Sequence, residues 1–161
     1  MVISLEQLHS GFQLQELHIS FICKEVLNGL SYIHKDLAIC HSRIQCDNIF
    51  IDKDGCVKIA DIGACLLERH QGSEQIDIRS LGWMMTEIME PGTADANRRT
   101  INLEDTNKWS SNIIDFQRQT EKLPIEHLLR HDFLAHAPSR ERKCLVVPMI
   151  RAKATALHDY E

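Results

Sequence analysis

One amphipathic stripe constrains this chain more than any other feature. Ile19, Ile22, Cys23, Val26, Leu27, Leu30 and Ile33 recur at steps of three, one, three, one, three and three. That rhythm follows the 3.6-residue turn and predicts a helix over 17–33 with one continuous apolar face. Such a face has to be covered by other elements. After an irregular piece at 35–48, Ile49-Phe50-Ile51, the polar turn Asp52-Lys53-Asp54-Gly55 and Val57-Lys58-Ile59-Ala60 read as a small β-hairpin. The Asp-Gly pair supplies its turn chemistry. A second helix is predicted over 77–89, with Ile78, Leu81, Met85 and Ile88 as its stripe and Pro91-Gly92 as its stop. Gly82 inside it costs up to about 1 kcal/mol against alanine, which predicts close packing there. Residues 92–108 read as polar loop. Weaker helices follow at 109–118 and 124–131, the latter with Pro124 in its first turn. A last helix is predicted at 147–158. A two-strand hairpin cannot form a core, so the helices must supply it. The fold class is therefore mainly α (α+β overall), with one small hairpin.

Composition narrows the function classes. A chain of 161 residues suggests one domain, and 43% hydrophobic with 25% charged residues excludes a disordered or low-complexity chain. A net charge of −5 gives no global footprint for nucleic acid. The cluster Arg140, Arg142, Lys143, Arg151 and Lys153 reads as a solvated tail. Cysteines 23, 40, 46, 56, 65 and 144 contain no C-x-x-C pair, which speaks against the usual zinc and redox motifs. The N-terminus lacks a basic region followed by an apolar core, and no apolar run reaches about 18 residues. Together these predict no membrane span and a reducing, cytoplasmic setting with free thiols.

The segment Cys40-His41-Ser42-Arg43-Ile44-Gln45-Cys46-Asp47-Asn48-Ile49-Phe50-Ile51 resembles a kinase catalytic loop, H-R-D-L-x-x-x-N, running into a strand. Asp61-Ile62-Gly63 resembles D-F-G. Asp77-Ile78-Arg79-Ser80-Leu81-Gly82 resembles the D-I-W-S-L-G that opens the central helix of a kinase large lobe. Glu126 to Leu134 resembles its closing E-L-L-x-H-x-F-L, and Pro148 to Lys153 resembles a segment that follows the domain in PAK kinases of the sterile-20 group. These motifs, in order over about 14–134, resemble the C-terminal lobe of a PAK-like Ser/Thr protein kinase. The resemblance implies a kinase-like large lobe over 1–136, with a charged linker and tail helix over 137–161. It also implies that Met1 lies close to the hinge between lobes, so that the N-lobe, its Gly-rich loop and its V-A-I-K lysine have no counterpart in the sequence.

The resemblance assigns site residues position by position. Arg43 stands where the family has the aspartate that accepts the substrate hydroxyl proton. A guanidinium stays protonated and cannot be a base; losing a base costs about 10²–10⁴ in rate. Gln45 replaces the loop lysine, and Ser42 replaces an arginine that can meet an activation-loop phosphate. Asn48 and Asp61 match the residues that hold magnesium, and their oxygens are suitable hard ligands. These two positions imply residual Mg-ATP binding. Arg43 is expected to pair with Asp61 and compete with metal; the alternative is that Asn48 and Asp61 serve as hydrogen-bonding loop residues. Between Asp61 and Asp77 no A-P-E motif fits, and Arg79 replaces the tryptophan beneath the peptide platform. Thr120 to Leu123 lacks the arginine that pairs with the A-P-E glutamate.

Other signals carry less. His127 and His131 have i, i+4 spacing but not the H-E-x-x-H order, so a helix-end role is expected. Asp52-Lys53-Asp54-Gly55 is read as a turn, because a calcium loop would need Phe50 as its first ligand. Cys40, Cys46 and His41 show no orienting constellation for a thiol nucleophile. Three functions follow: an inactive, pseudokinase-like binding or scaffold module in signalling; a degenerate or incomplete kinase fragment without independent role; or a working ATP-dependent Ser/Thr kinase. For the first, a protein partner is expected on an apolar, uncovered face around the first residues and the 40–48 loop.

Overall fold

The computed structural model describes residues 2–68, 73–92, 101–139 and 143–158. Val2–Ser4 is strand β1 and Leu5–Gly11 helix α1. Ser4 caps that helix: its hydroxyl accepts from Gln7 N at 3.2 Å, and Gln7 Oε1 accepts from Ser4 N at 3.1 Å. This reciprocal pairing satisfies two amides that a helix start leaves open. The long stripe folds as α2, Glu16–Lys35, and all seven of its predicted apolar positions are buried.

Ile49–Asp52 is β2 and Val57–Ile59 is β3. The Asp52 carboxylate accepts from Asp54 N at 2.9 Å and Cys56 N at 3.0 Å, and Gly55 takes φ +80°. A left-handed residue there suits glycine, and the carboxylate holds a turn rather than an ion. The sheet departs from the predicted hairpin. It has three antiparallel strands in the order β1-β2-β3, with Ile3 opposite Ile51 and Ile51 opposite Val57. A three-residue strand is too short to announce itself by alternation.

Ile62–Glu68 is α3 and Glu74–Met89 is α4. Close packing at Gly82 is present: a Cβ there would meet the Thr120 hydroxyl, with Ile101 Cγ2 at 3.3 Å. Ser111–Gln119 forms α5. The single helix predicted over 124–131 is two short ones, α6 at Ile125–Leu128 and α7 at Asp132–Ala135. His131 caps the second, its Nδ1 accepting from Phe133 N at 3.1 Å, which interrupts the helix.

Val146–His158 is α8, with Pro148 in its first turn, where its missing N–H leaves no bond unmade. It lies along α1 so closely that a Cβ on Gly11 would stand 2.8 Å from Ala152 Cα. Leu145, Met149 and Ala152 enter the same core as α2 and α4. The uncovered apolar face expected near the first residues is corrected. Ile3, Ile44 and Cys46 are buried, because β1 joins the sheet and α1 folds over the loop; Val2 alone of that group stays exposed. Among the described residues no helix is long and apolar enough to cross a membrane. Arg140, Arg142 and residues 93–100 of the expected loop lie outside the described residues.

Candidate active site

One buried carboxylate positions the loop that follows α2. Asp77, in the first turn of α4, is fully buried. Its Oδ2 accepts from the His34 ring Nε2 at 2.8 Å and from His41 N at 2.8 Å, while Oδ1 accepts from Ser42 N at 2.6 Å. An ionised acceptor with this many donors is among the stronger polar anchors a protein makes. The anchor holds Ser42 at φ 64°, a conformation that costs roughly 1–2 kcal/mol for a residue with a Cβ.

His41 extends the anchor across the site. It is fully buried, and its Nε2 donates to Ala60 O at 2.6 Å. Its Nδ1 then accepts from Arg43 N at 3.3 Å, so the neutral Nε2–H form satisfies both contacts. The backbone just before Asp61 is thereby tied to the loop bearing Arg43. Ala60 N also donates to Asn48 O at 2.9 Å.

The side chains on this frame separate into two sets. Arg43, Asn48 and Asp61 come together. The Arg43 guanidinium lies 3.3 Å from Asp61 Oδ2, and Asn48 Nδ2 donates to Arg43 O at 3.0 Å. Asp61 holds φ 64°, an uncommon conformation for aspartate that the frame enforces. Arg43 is half exposed and Asp61 one-third, so the ion pair is weakly stabilising and orients charge more than it adds stability. Gln45 stands apart, its Nε2 donating to Asp47 Oδ2 at 3.0 Å.

Two cysteines, Cys65 and Cys40, border this frame. Cys65 Sγ points at His41 O, 3.1 Å away, and Asp61 O, 3.3 Å away. Burial and then the Asp61 carboxylate push its thiol pKa up. Burial and then Asp77 do the same for Cys40. A raised pKa leaves little thiolate, so neither is a nucleophile.

The histidines of the closing segment are also accounted for. His131 Nε2 lies 3.0 Å from Asp115 Oδ2, and its ring meets Phe116 edge-on at 5.3 Å. His127 is exposed on α6. The two are on different elements and share no site. Arg79 is exposed on α4.

Sequence reading missed the roles of His34 and Asp77 as the loop's anchor, since a lone His and Asp 43 residues apart carry no local signal. It also missed α1, although Ser4 and Gln7 form a capping-box pattern that could have marked its start.

Comparison with known proteins places these features in context. The protein kinase domain family model matches residues 3–143. The Dictyostelium discoideum serine/threonine-protein kinase pakD is 32% identical over 165 residues, covering 77% of this chain and 10% of its own length. The pakA kinase of the same organism is 32% identical, covering 81% of this chain and 14% of its length. Mitogen-activated protein kinase kinase kinase 3 of Arabidopsis thaliana is 29% identical over 129 residues, covering 78% of this chain and 21% of its length. The chain thus spans between a tenth and about a fifth of these relatives.

Proposed function

This chain belongs to the protein kinase domain family, its curated relatives being PAK-like Ser/Thr kinases and mitogen-activated kinase kinase kinases, and on that premise we propose that it is a catalytically inactive binding module of PAK-like descent acting in cytoplasmic signalling. The observation that carries this reading is Arg43. By the catalytic-loop resemblance this permanent cation would stand where the proton acceptor is required, and it lies 3.3 Å from Asp61 Oδ2.

The residues present do not fit a magnesium–nucleotide pair well. Asn48 and Asp61 offer hard oxygens, but Asp61 already holds a guanidinium, and Asn48 turns its amide nitrogen to Arg43 O. A divalent cation would have to displace Arg43 or share the carboxylate with it. Gln45 brings no charge to neutralise a transferring phosphoryl group. What the frame retains is rigidity: a loop pinned by Asp77 and His41 presents Arg43, Gln45 and Asp47 as a fixed polar surface. That surface suits recognition of a protein partner.

The test is phosphate incorporation from γ-labelled ATP into a generic Ser/Thr substrate, with Asp61→Ala as the control. The expected result is no incorporation above background, and no rise in melting temperature with Mg-ATP. A ligand confined to the folded state would raise it. Incorporation that Asp61→Ala abolishes would overturn the inactive reading.

A further inference from the structure

We propose that His9, Cys46 and Glu87 form a binding site for a single transition-metal ion of the Zn²⁺ type, joining α1, the catalytic-loop segment and α4. The three come from elements far apart in sequence, yet one ligand atom from each lies within 4.8 Å of the others. Imidazole, thiolate and carboxylate together are the donor set that Zn²⁺ takes.

The geometry is close to what the ion needs. With N and O bonds of about 2.1 Å, a tetrahedral site sets the two ligand atoms about 3.4 Å apart. His9 Nε2 and Glu87 Oε1 are 3.5 Å apart. Cys46 Sγ lies within 4.8 Å of both, so it has to close by at most about an ångström, within reach of small side-chain rotations.

An independent observation points to a missing ligand. The His9 side chain is 9% exposed, and neither ring nitrogen has a hydrogen-bond partner among the described residues. Nε2 has only a loose ion-pair contact with Glu87 Oε1 at 3.5 Å, and the ring beside it holds that carboxyl below its usual range. Leaving a buried polar group unmade costs about 1–3 kcal/mol, and structures seldom accept that without cause. A metal on Nε2 would remove half of the deficit.

The second His/Cys/Asp cluster shows the contrast. His34, Cys40 and Asp77 also converge, but the Asp77 carboxylate is already filled by the His34 ring, His41 N and Ser42 N. A cation there would have to compete with the three donors that anchor the loop. At His9–Cys46–Glu87 the carboxylate side chain is one-third exposed, which leaves an entry path and room for water as fourth ligand. Binding forms an S–metal bond as the S–H bond breaks, and the thiol proton leaves to bulk water.

The experiment titrates Zn²⁺ and Co²⁺ into the full chain, kept reduced. Calorimetry should give one Zn²⁺ per chain. Co²⁺ should produce a thiolate-to-metal charge-transfer band in the near ultraviolet. Cys46→Ser should abolish that band, and His9→Gln and Glu87→Gln should each weaken Zn²⁺ binding at least about tenfold. Cys144→Ser, on a thiol outside the cluster, should change neither. Should Cys46→Ser not fold, the partly exposed Glu87→Gln decides alone. No saturable 1:1 binding, or binding unchanged in His9→Gln and Glu87→Gln, would overturn the proposal. Because the readout is metal occupancy, the result does not depend on whether phosphoryl transfer occurs.

Discussion

Removing the Asp77 carboxylate should loosen the whole loop that carries Arg43. Asp77→Ala leaves three donors without their acceptor: the His34 ring, His41 N and Ser42 N, now at 2.8, 2.8 and 2.6 Å. Ser42 is only half-buried and can turn its amide to water, so it contributes little. The other two belong to buried residues. At about 1–3 kcal/mol for each unmade bond, the expected loss is about 4 kcal/mol. That is a large share of a folded domain's total of about 5–15 kcal/mol. With a urea slope of about 2 kcal/mol/M, the unfolding midpoint should fall by about 2 M. Helical circular dichroism across a urea series reads this directly. Asp77→Asn keeps one oxygen acceptor and should shift the midpoint by less. If Asp77→Ala moves the midpoint by under about 0.5 M at unchanged slope, the anchor is not what holds the loop.

Two further outcomes follow from particular contacts. Gly82→Ala should destabilise by about 1–3 kcal/mol, because the new methyl meets the buried Thr120 hydroxyl, and the gain in helix propensity is too small to offset this. Adding Thr120→Ala should relieve part of that loss; strict additivity in a urea-denaturation cycle would refute the contact. Burial holds the His18 imidazole below its usual pKa, and its Nδ1 accepts from Gln15 N at 3.1 Å, which needs the neutral ring. The unfolded chain therefore takes up a proton near pH 6.5 before the folded one does, and stability should fall as pH drops below 6.5 until the folded pKa is passed. His18→Asn, which keeps an acceptor, should flatten that part of the curve; an unchanged slope would count against it.

The parts of this fold that could be read from sequence are those with a repeating signal. The stripe from Ile19 to Ile33 and the one from Ile78 to Ile88 have enough turns for periodicity to stand out. Their helices extend at most three residues beyond the expected ends, and the second stops at Met89 as expected. The Asp52–Gly55 turn was legible because its chemistry is local. Helix α1 and strand β1 were not, being seven and three residues long. The break between α6 and α7 was hidden because His131 caps through its side chain, which an apolar count cannot see. At the site, the Arg43–Asp61 pair could be anticipated from motif position. The Asp77 anchor and the His9–Cys46–Glu87 group could not, since each joins segments that only the tertiary fold brings together.

The last helix lying along the first has a consequence for synthesis. Roughly 135 residues separate the end of α1 from the start of α8. At ribosomal rates of about 5–20 residues per second, Leu5 and Leu8 emerge roughly seven to thirty seconds before Met149 and Ala152 can cover that side. During that interval the nascent chain displays an unfinished hydrophobic seam, and its encounter with a holdase chaperone would be settled by translation speed rather than by the final energy of the fold.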